Sequence, residues 1–258
     1  MSRQKIRLDQ LLFERGLCES RTRAAALIME GRVLVAGKVV DKPGTRVADD
    51  AAIEIRKPLH PFVSRGGLKL ENALGQFKLD VGGQVALDAG SSTGGFSDCL
   101  LSRGVRRCYA LDVNVAQLHE RVRAHPNIVV LPPKNARHIE PEDLPERVDL
   151  VVADLSFISL RLVLPALFRV LKPGGRMVVL IKPQFEVGKG EVGKGGVVRD
   201  EGLRKKAVDG VIEAGVSLGM NHLGTIQAEP KGADGNIEFF ALFERLEKNG
   251  KQWGQATS

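Results

Sequence analysis

The 258-residue sequence predicts an α/β protein, a mostly parallel sheet with helices on both faces, preceded by a small α+β domain. Three observations carry this expectation. Apolar strand-like runs alternate with helical runs beyond Arg65. A glycine-rich turn, LDAGSSTGGF, directly follows the first of those strands. The first 60 residues differ in order (helix, helix, strands) and in charge.

Hydrophobic residues make up 43% of the chain and charged ones 27%, enough for one large core and one small one. No run approaches the ~18 apolar residues of a membrane span, so no membrane partner is expected. The opening MSRQKIRLDQ leads into an amphipathic segment, not the apolar core of an export signal. Cys18, Cys99 and Cys108 lack metal-ligand spacing, and a reduced cytoplasmic setting is expected. Net charge is +7, and the first 60 residues hold 12 Lys/Arg against 8 Asp/Glu. That concentration favours a polyanionic partner.

Leu8, Leu11 and Leu12 have helical spacing, which Gly16 ends. Ser20 can cap a second helix over Arg21–Glu30, with Gly31 just beyond. Strands at Arg32–Val35, Lys38–Val40 and Ala51–Ile55 follow, with turns at Ala36-Gly37 and Pro43-Gly44. Arg3, Lys5, Arg7, Arg15, Arg21, Arg23 and Lys38 crowd around these helices and the first turn. The plain reading of such charges is a solvated face. However, RLDQLLFERGLCESRTRAAALIMEGRVLVAGKVV resembles the αL-type RNA-binding domain first known from a ribosomal small-subunit protein. The resemblance implies that this surface grips structured RNA.

Lys57–Arg65 (KPLHPFVSR) reads as a linker, dividing the chain into domains 1–60 and 61–246 with a polar tail, 247–258. The second domain's strands are expected at Val85–Leu87, Cys108–Leu111, Ile128–Leu131, Leu150–Ala153, Met177–Ile181 and Ile237–Phe243. Leu70, Ala73, Leu74 and Phe77 mark a helix packed on that sheet.

In LDAGSSTGGFSDCLL a strand ends at Asp88 and a helix opens near Phe96. Gly90, Gly94 and Gly95 let the backbone approach a ligand there, where open α/β sheets bind them. The spacing is wrong for a dinucleotide fingerprint. It resembles the first motif of class I methyltransferases, which implies a Rossmann-like domain holding S-adenosylmethionine, with Ser91, Phe96 and Val113 beside it. Asp112 ends the next strand, spaced to accept hydrogen bonds from a ribose. The resemblance puts Asn135-Ala136 against the adenine. Gly188–Gly195 almost spells a phosphate loop, but Gly195 stands where the Mg²⁺-binding hydroxyl belongs, so nucleotide hydrolysis is rejected. Its Lys189 and Lys194 are candidates for RNA phosphates.

The acceptor atom follows by elimination. The fourth strand reads VVADLSFIS, without the prolines of exocyclic-amine enzymes, and neither Cys99 nor Cys108 is placed as a nucleophile. A hydroxyl acceptor needs a base. Lys69, Asp154, Lys182 and Glu238 can provide one, with Lys182 as base and Lys69 as a cation that depresses its pKa. Asp154 also belongs to the cofactor site, and no metal is required. Taken singly, each has an innocent reading as a helix-surface, strand-end or edge-strand charge.

SRGGLKLENAL, LDAGSSTGGF, DLSFISL, IKPQFEVGKGEVGKGGVVRD and KGADGNIEFF resemble the TlyA, haemolysin A-like family, whose catalytic domain is similar to FtsJ ribosomal RNA 2′-O-methyltransferases. The likeness spans essentially the whole chain and keeps all four tetrad positions. It implies methyl transfer to a cytidine ribose in ribosomal RNA or ribosomal subunits. The alternatives are a non-catalytic RNA-binding or assembly factor, a small-molecule O-methyltransferase and a membrane-active haemolysin. The sequence shows no lytic segment, and a small-molecule enzyme would not need the basic domain.

Overall fold

The computed structural model describes residues 5–56, 60–193, 195–232 and 235–247. In the N-terminal domain β1 (Lys5–Arg7) leads into α1 (Leu8–Glu14) and α2 (Arg21–Met29). Ser20 Oγ accepts from the Arg23 backbone N–H at 3.1 Å, satisfying an orphan donor at the start of α2. β2 (Val33–Val35) is the middle strand of a sheet with β3 (Lys38–Val39) and β5 (Ile53–Ile55), while β4 (Arg46–Ala48) pairs with β1. Leu8, Leu12, Ile28 and Val33 are fully buried in a core separate from the rest.

The second domain opens with α3 (Arg65–Gln76). β6 (Val85–Ala89), α4 (Gly95–Ser102), β7 (Arg107–Leu111), α5 (Glu120–Arg123) and β8 (Ile128–Val130) form one half. β9 (Val148–Ala153), α6 (Leu160–Val170), β10 (Leu171–Ile181), α7 (Pro183–Glu186), α8 (Glu201–Ser217), β11 (Met220–Gln227) and β12 (Phe239–Arg245) form the other. The seven strands run in the order β11-β12-β10-β9-β6-β7-β8, with β12 antiparallel to both neighbours. Alternate residues enter opposite faces. Leu87, Val151 and Val179 pack beneath α6, whereas Ala86, Val152 and Val178 pack beneath α3 and α4. The chain reverses its winding between β6 and β9, so the crevice at their carboxyl ends is where a ligand is held.

Three strands were not expected. β1 and β4 are only KIR and RVA, too short for alternation to show. β11, MNHLGTIQ, is a polar edge strand containing Gly224. The last strand begins at Phe239, not Ile237, so Glu238 precedes it. Residues 57–59 of the linker and 248–258 of the tail lie outside the described residues. Among the described residues no helix is long and apolar enough to cross a membrane.

Candidate active site

Sheet geometry brings the four charged candidates together. Asp154 and Lys182 are the first residues beyond β9 and β10, Lys69 lies on α3, and Glu238 leads into β12. All four border one cavity of about 560 Å³ at the switch-point crevice.

They form two ion pairs. Lys69 Nζ donates to Glu238 Oε2 at 2.6 Å, with side-chain exposures of only 12% and 3%. Lys182 Nζ lies 2.6 Å from Asp154 Oδ1, but outside hydrogen-bond geometry. It donates instead to Ser156 Oγ at 2.9 Å. Burial acts to lower the Lys182 pKa, yet Asp154, with help from Glu238, outweighs it and holds it above the ordinary lysine value. This corrects the expected depression. Lys69 stands at hydrogen-bond distance from its own carboxylate, so it is not an unopposed cation beside Lys182. Burial likewise pushes Asp154 up, but Lys182 and then Lys69 outweigh it, and its carboxyl sits below the usual range.

Among the cofactor candidates, Gly90, Ser91, Gly95, Phe96 and Asp154 border the cavity. Gly90 has φ +89°, and a Cβ there would stand 2.4 Å from the Asp154 carbonyl oxygen. Gly94, φ +93°, faces Leu118 and Val122 instead. Asp88 is wholly buried beneath the turn, where Ser97 Oγ donates to Oδ2 at 2.7 Å and Oδ1 has no partner. Burial pushes its carboxyl up to about 7, against the Ser97 hydrogen bond.

Asp112, Val113, Asn135 and Ala136 do not border this cavity. Asp112 braces the turn, accepting from the backbone N–H groups of Ser92 at 2.9 Å and Asn114 at 2.8 Å. Val113 is exposed, Ala136 is buried, and Asn135 caps a short 3₁₀ turn through the Arg137 N–H. All four stand just beyond β7 and β8, on the sheet edge that carries the cavity. The glycine turn on the cavity wall and the Asp154 carboxylate, whose Oδ1 accepts no hydrogen bond from the described residues, fit S-adenosylmethionine. Among the described residues no His, Cys, Asp or Glu group is arranged to hold a metal ion.

On the N-terminal domain Arg7 and Arg21 converge on Asp9, at 2.9 and 3.3 Å. Arg7 above all holds that carboxyl below its usual range. Arg15 donates to the backbone oxygens of Ala51 and Asp49. Lys5, Arg7, Arg21 and Lys38 are exposed and Arg23 half-buried. Arg3 and Lys194 lie outside the described residues, as does the Lys189 side chain. The two domains meet at the cavity, where Arg65 donates to Asp41 at 3.1 Å.

Sequence reasoning missed Ser156, Phe157 and Phe185, which border the same cavity. Phe157 is 91% exposed at φ +64°, a strained conformation for a bulky residue, with its ring 5.1 Å from that of Phe185. The available signal was an aromatic side chain in the polar turn leaving a strand.

The strand order and the glycine turn at its switch point define a Rossmann-like methyltransferase domain, here fused to a small basic domain. The S4 domain family matches residues 6–53 and the FtsJ-like methyltransferase family residues 62–245; the chain belongs to the FtsJ-like methyltransferase family. It is 46% identical to the 16S/23S rRNA (cytidine-2′-O)-methyltransferase TlyA of Mycobacterium tuberculosis, across 92% of this chain and 89% of that one. It is 38% identical to hemolysin A of Brachyspira hyodysenteriae, across 92% and 99%. A solved structure from Streptococcus thermophilus with a provisional hemolysin name superposes with a TM-score of 0.74 at 37% identity, across 95% and 90%.

Proposed function

We propose that the protein transfers a methyl group from S-adenosylmethionine to the 2′-hydroxyl of a cytidine ribose in ribosomal RNA, acting on ribosomal subunits. The observation that carries this reading is the convergence of Lys69, Asp154, Lys182 and Glu238 on one cavity beside the glycine turn. The cytidine follows the printed activity of the tuberculosis relative. Residues 1–60 act as the RNA-gripping domain and 61–246 as the catalytic one.

When bound, S-adenosylmethionine supplies an electrophilic methyl group. Gly90 and Gly95 form part of the cavity wall against which it would lie, packed on Asp154 and Ser64 too closely for a side chain. Lys182, once neutral, takes the 2′-hydroxyl proton at Nζ. Asp154 stabilises the ammonium that results. Lys69 and Glu238 hold each other and brace α3 against the entry to β12. In the free protein Lys182 carries its proton, and neutralising it at pH 7 costs at least about 4.6 kcal/mol. Docking of the ribose excludes water and offsets part of that cost by favouring the uncharged amine. Positioning of the acceptor supplies much of the rate.

The test is nucleoside mass spectrometry of ribosomal RNA after incubating purified protein, cofactor and unmodified ribosomal subunits. 2′-O-methylcytidine is the expected product. Methylation only on a base, or none, overturns the reading.

A further inference from the structure

Lys182 must accept a proton at a defined angle, and an amine has one lone pair to offer. Its Nζ has a bond to Cε, an ion-pair contact with Asp154 and a hydrogen bond to Ser156 Oγ. The covalent bond to Cε and the hydrogen bond to Ser156 together fix the rotation of the amine about Cε–Nζ, and with it the directions of the two positions that remain. Ser156 enters the cavity wall from the turn after β9, and the left-handed Phe157 beside it marks a backbone bent sharply at that point.

We propose that Ser156 is a positioning residue of the methyl-transfer reaction, its hydroxyl fixing the direction of the Lys182 lone pair toward the acceptor ribose. The proposal rests on the reading of Lys182 as the base. With one N–H held on Ser156 Oγ, neutral Lys182 cannot spin freely about Cε–Nζ, and its lone pair keeps a set direction toward the acceptor. Without the hydroxyl the amine rotates about the Cε–Nζ bond. The reactive orientation then becomes one of several. Asp154 cannot replace Ser156 in this role, because its contact lies outside hydrogen-bond geometry and sets distance more than angle. The charged groups facing Lys182 are Asp154 beyond β9 and Glu238 before β12, with Lys69 on α3 joined to Glu238. Ser156 is the uncharged partner among them, so its removal leaves the formal charge of the cluster unchanged.

The experiment measures single-turnover methyl transfer against pH for the full-length wild type, Ser156→Ala and Ser156→Thr. Cofactor and RNA affinities are measured alongside by calorimetry and filter binding. In Ser156→Ala the plateau rate should fall about 10- to 100-fold, as for a misaligned reacting group. Its midpoint should also move to lower pH by up to about one unit, because the ammonium has lost an acceptor. Both affinities should stay within about two-fold of wild type. Ser156→Thr, which keeps the hydroxyl, should restore both rate and midpoint. An unmoved midpoint in Ser156→Ala, with or without a slower rate, overturns the proposal. So does a Ser156→Thr profile matching that of Ser156→Ala. A wild type that fails to methylate ribose overturns the underlying reading instead, and the control arm reports that separately.

Discussion

Two lysine–carboxylate pairs share one cavity at the same 2.6 Å separation, yet they are different objects. Lys69–Glu238 is closed: the hydrogen bond is made and Glu238 is 3% exposed. Lys182–Asp154 is open: the hydrogen bond goes to Ser156, and Asp154 keeps a quarter of its side-chain surface exposed. A closed pair is costly to break and has little freedom to exchange a proton. An open pair can change its charge without breaking a hydrogen bond between its two members. Separation alone therefore does not assign chemistry; the remaining partners do.

Four tests probe that contrast, beginning with the open pair. Lys182→Ala should reduce single-turnover methyl transfer by about a thousand-fold or more while cofactor and RNA still bind, because the loss falls on the transition state. Retained rate with lost cofactor binding would make Lys182 a ligand-holding residue.

Lys69→Ala should act first on folding. It leaves Glu238 buried and unpaired, a change worth about 3–5 kcal/mol in urea denaturation. The double variant Lys69→Met with Glu238→Gln should recover much of that stability. If Lys69→Ala is as stable as wild type, the pair is not closed in solution.

Asp88 sharpens the comparison as a buried carboxylate held by the Ser97 hydroxyl, with no cation paired to it among the described residues. Its folded pKa, about 7, is raised above the ordinary 3.8. The protonated form is thus favoured by folding, and the stability it contributes is full below 3.8 and lost as pH rises through about 7. Wild type should therefore be less stable at pH 8 than at pH 5, and Asp88→Asn should flatten that difference. Equal slopes in the two proteins would mean that another group carries the dependence.

The smallest effect should come from outside the cavity. Arg23→Ala should weaken RNA binding by about 1 kcal/mol and reduce its salt dependence. The pH–rate profile should not move, since neither pair is touched. A shifted profile would couple the N-terminal domain to the base.

The parallel sheet was legible because β6, β7 and β9 are apolar runs bounded by turns, and the glycine turn announced the switch point. The antiparallel edge was harder. β12 was found through FFALF, while β11 was missed because MNHLGTIQ is polar, contains Gly224 and buries little beyond Met220. Asp154 and Lys182 could be proposed because charges at strand ends point to the active edge, whereas Lys69 on a helix and Glu238 in an apolar strand gained meaning only as members of the set. Which lysine meets which acid could not be read, since Lys69 and Glu238 are 169 residues apart in the chain. The sign of the Lys182 shift failed for the same reason: it depends on pairing. Asp112 reads as a ribose ligand by spacing; what spacing did not reveal is that its oxygens also accept from the Ser92 and Asn114 backbones and brace the turn.

The central claim is that Lys182 gives up a proton, and a pH–rate series on wild type and Lys182→Arg tests it most directly. Under single-turnover conditions the wild-type rate should climb roughly ten-fold per pH unit through neutrality, as expected for a base held above its ordinary pKa. Lys182→Arg keeps the charge but cannot deprotonate, and it should remain inactive across the range. Substantial activity of Lys182→Arg at neutral pH would contradict the account, leave Lys182 a purely electrostatic role and move the base to Asp154.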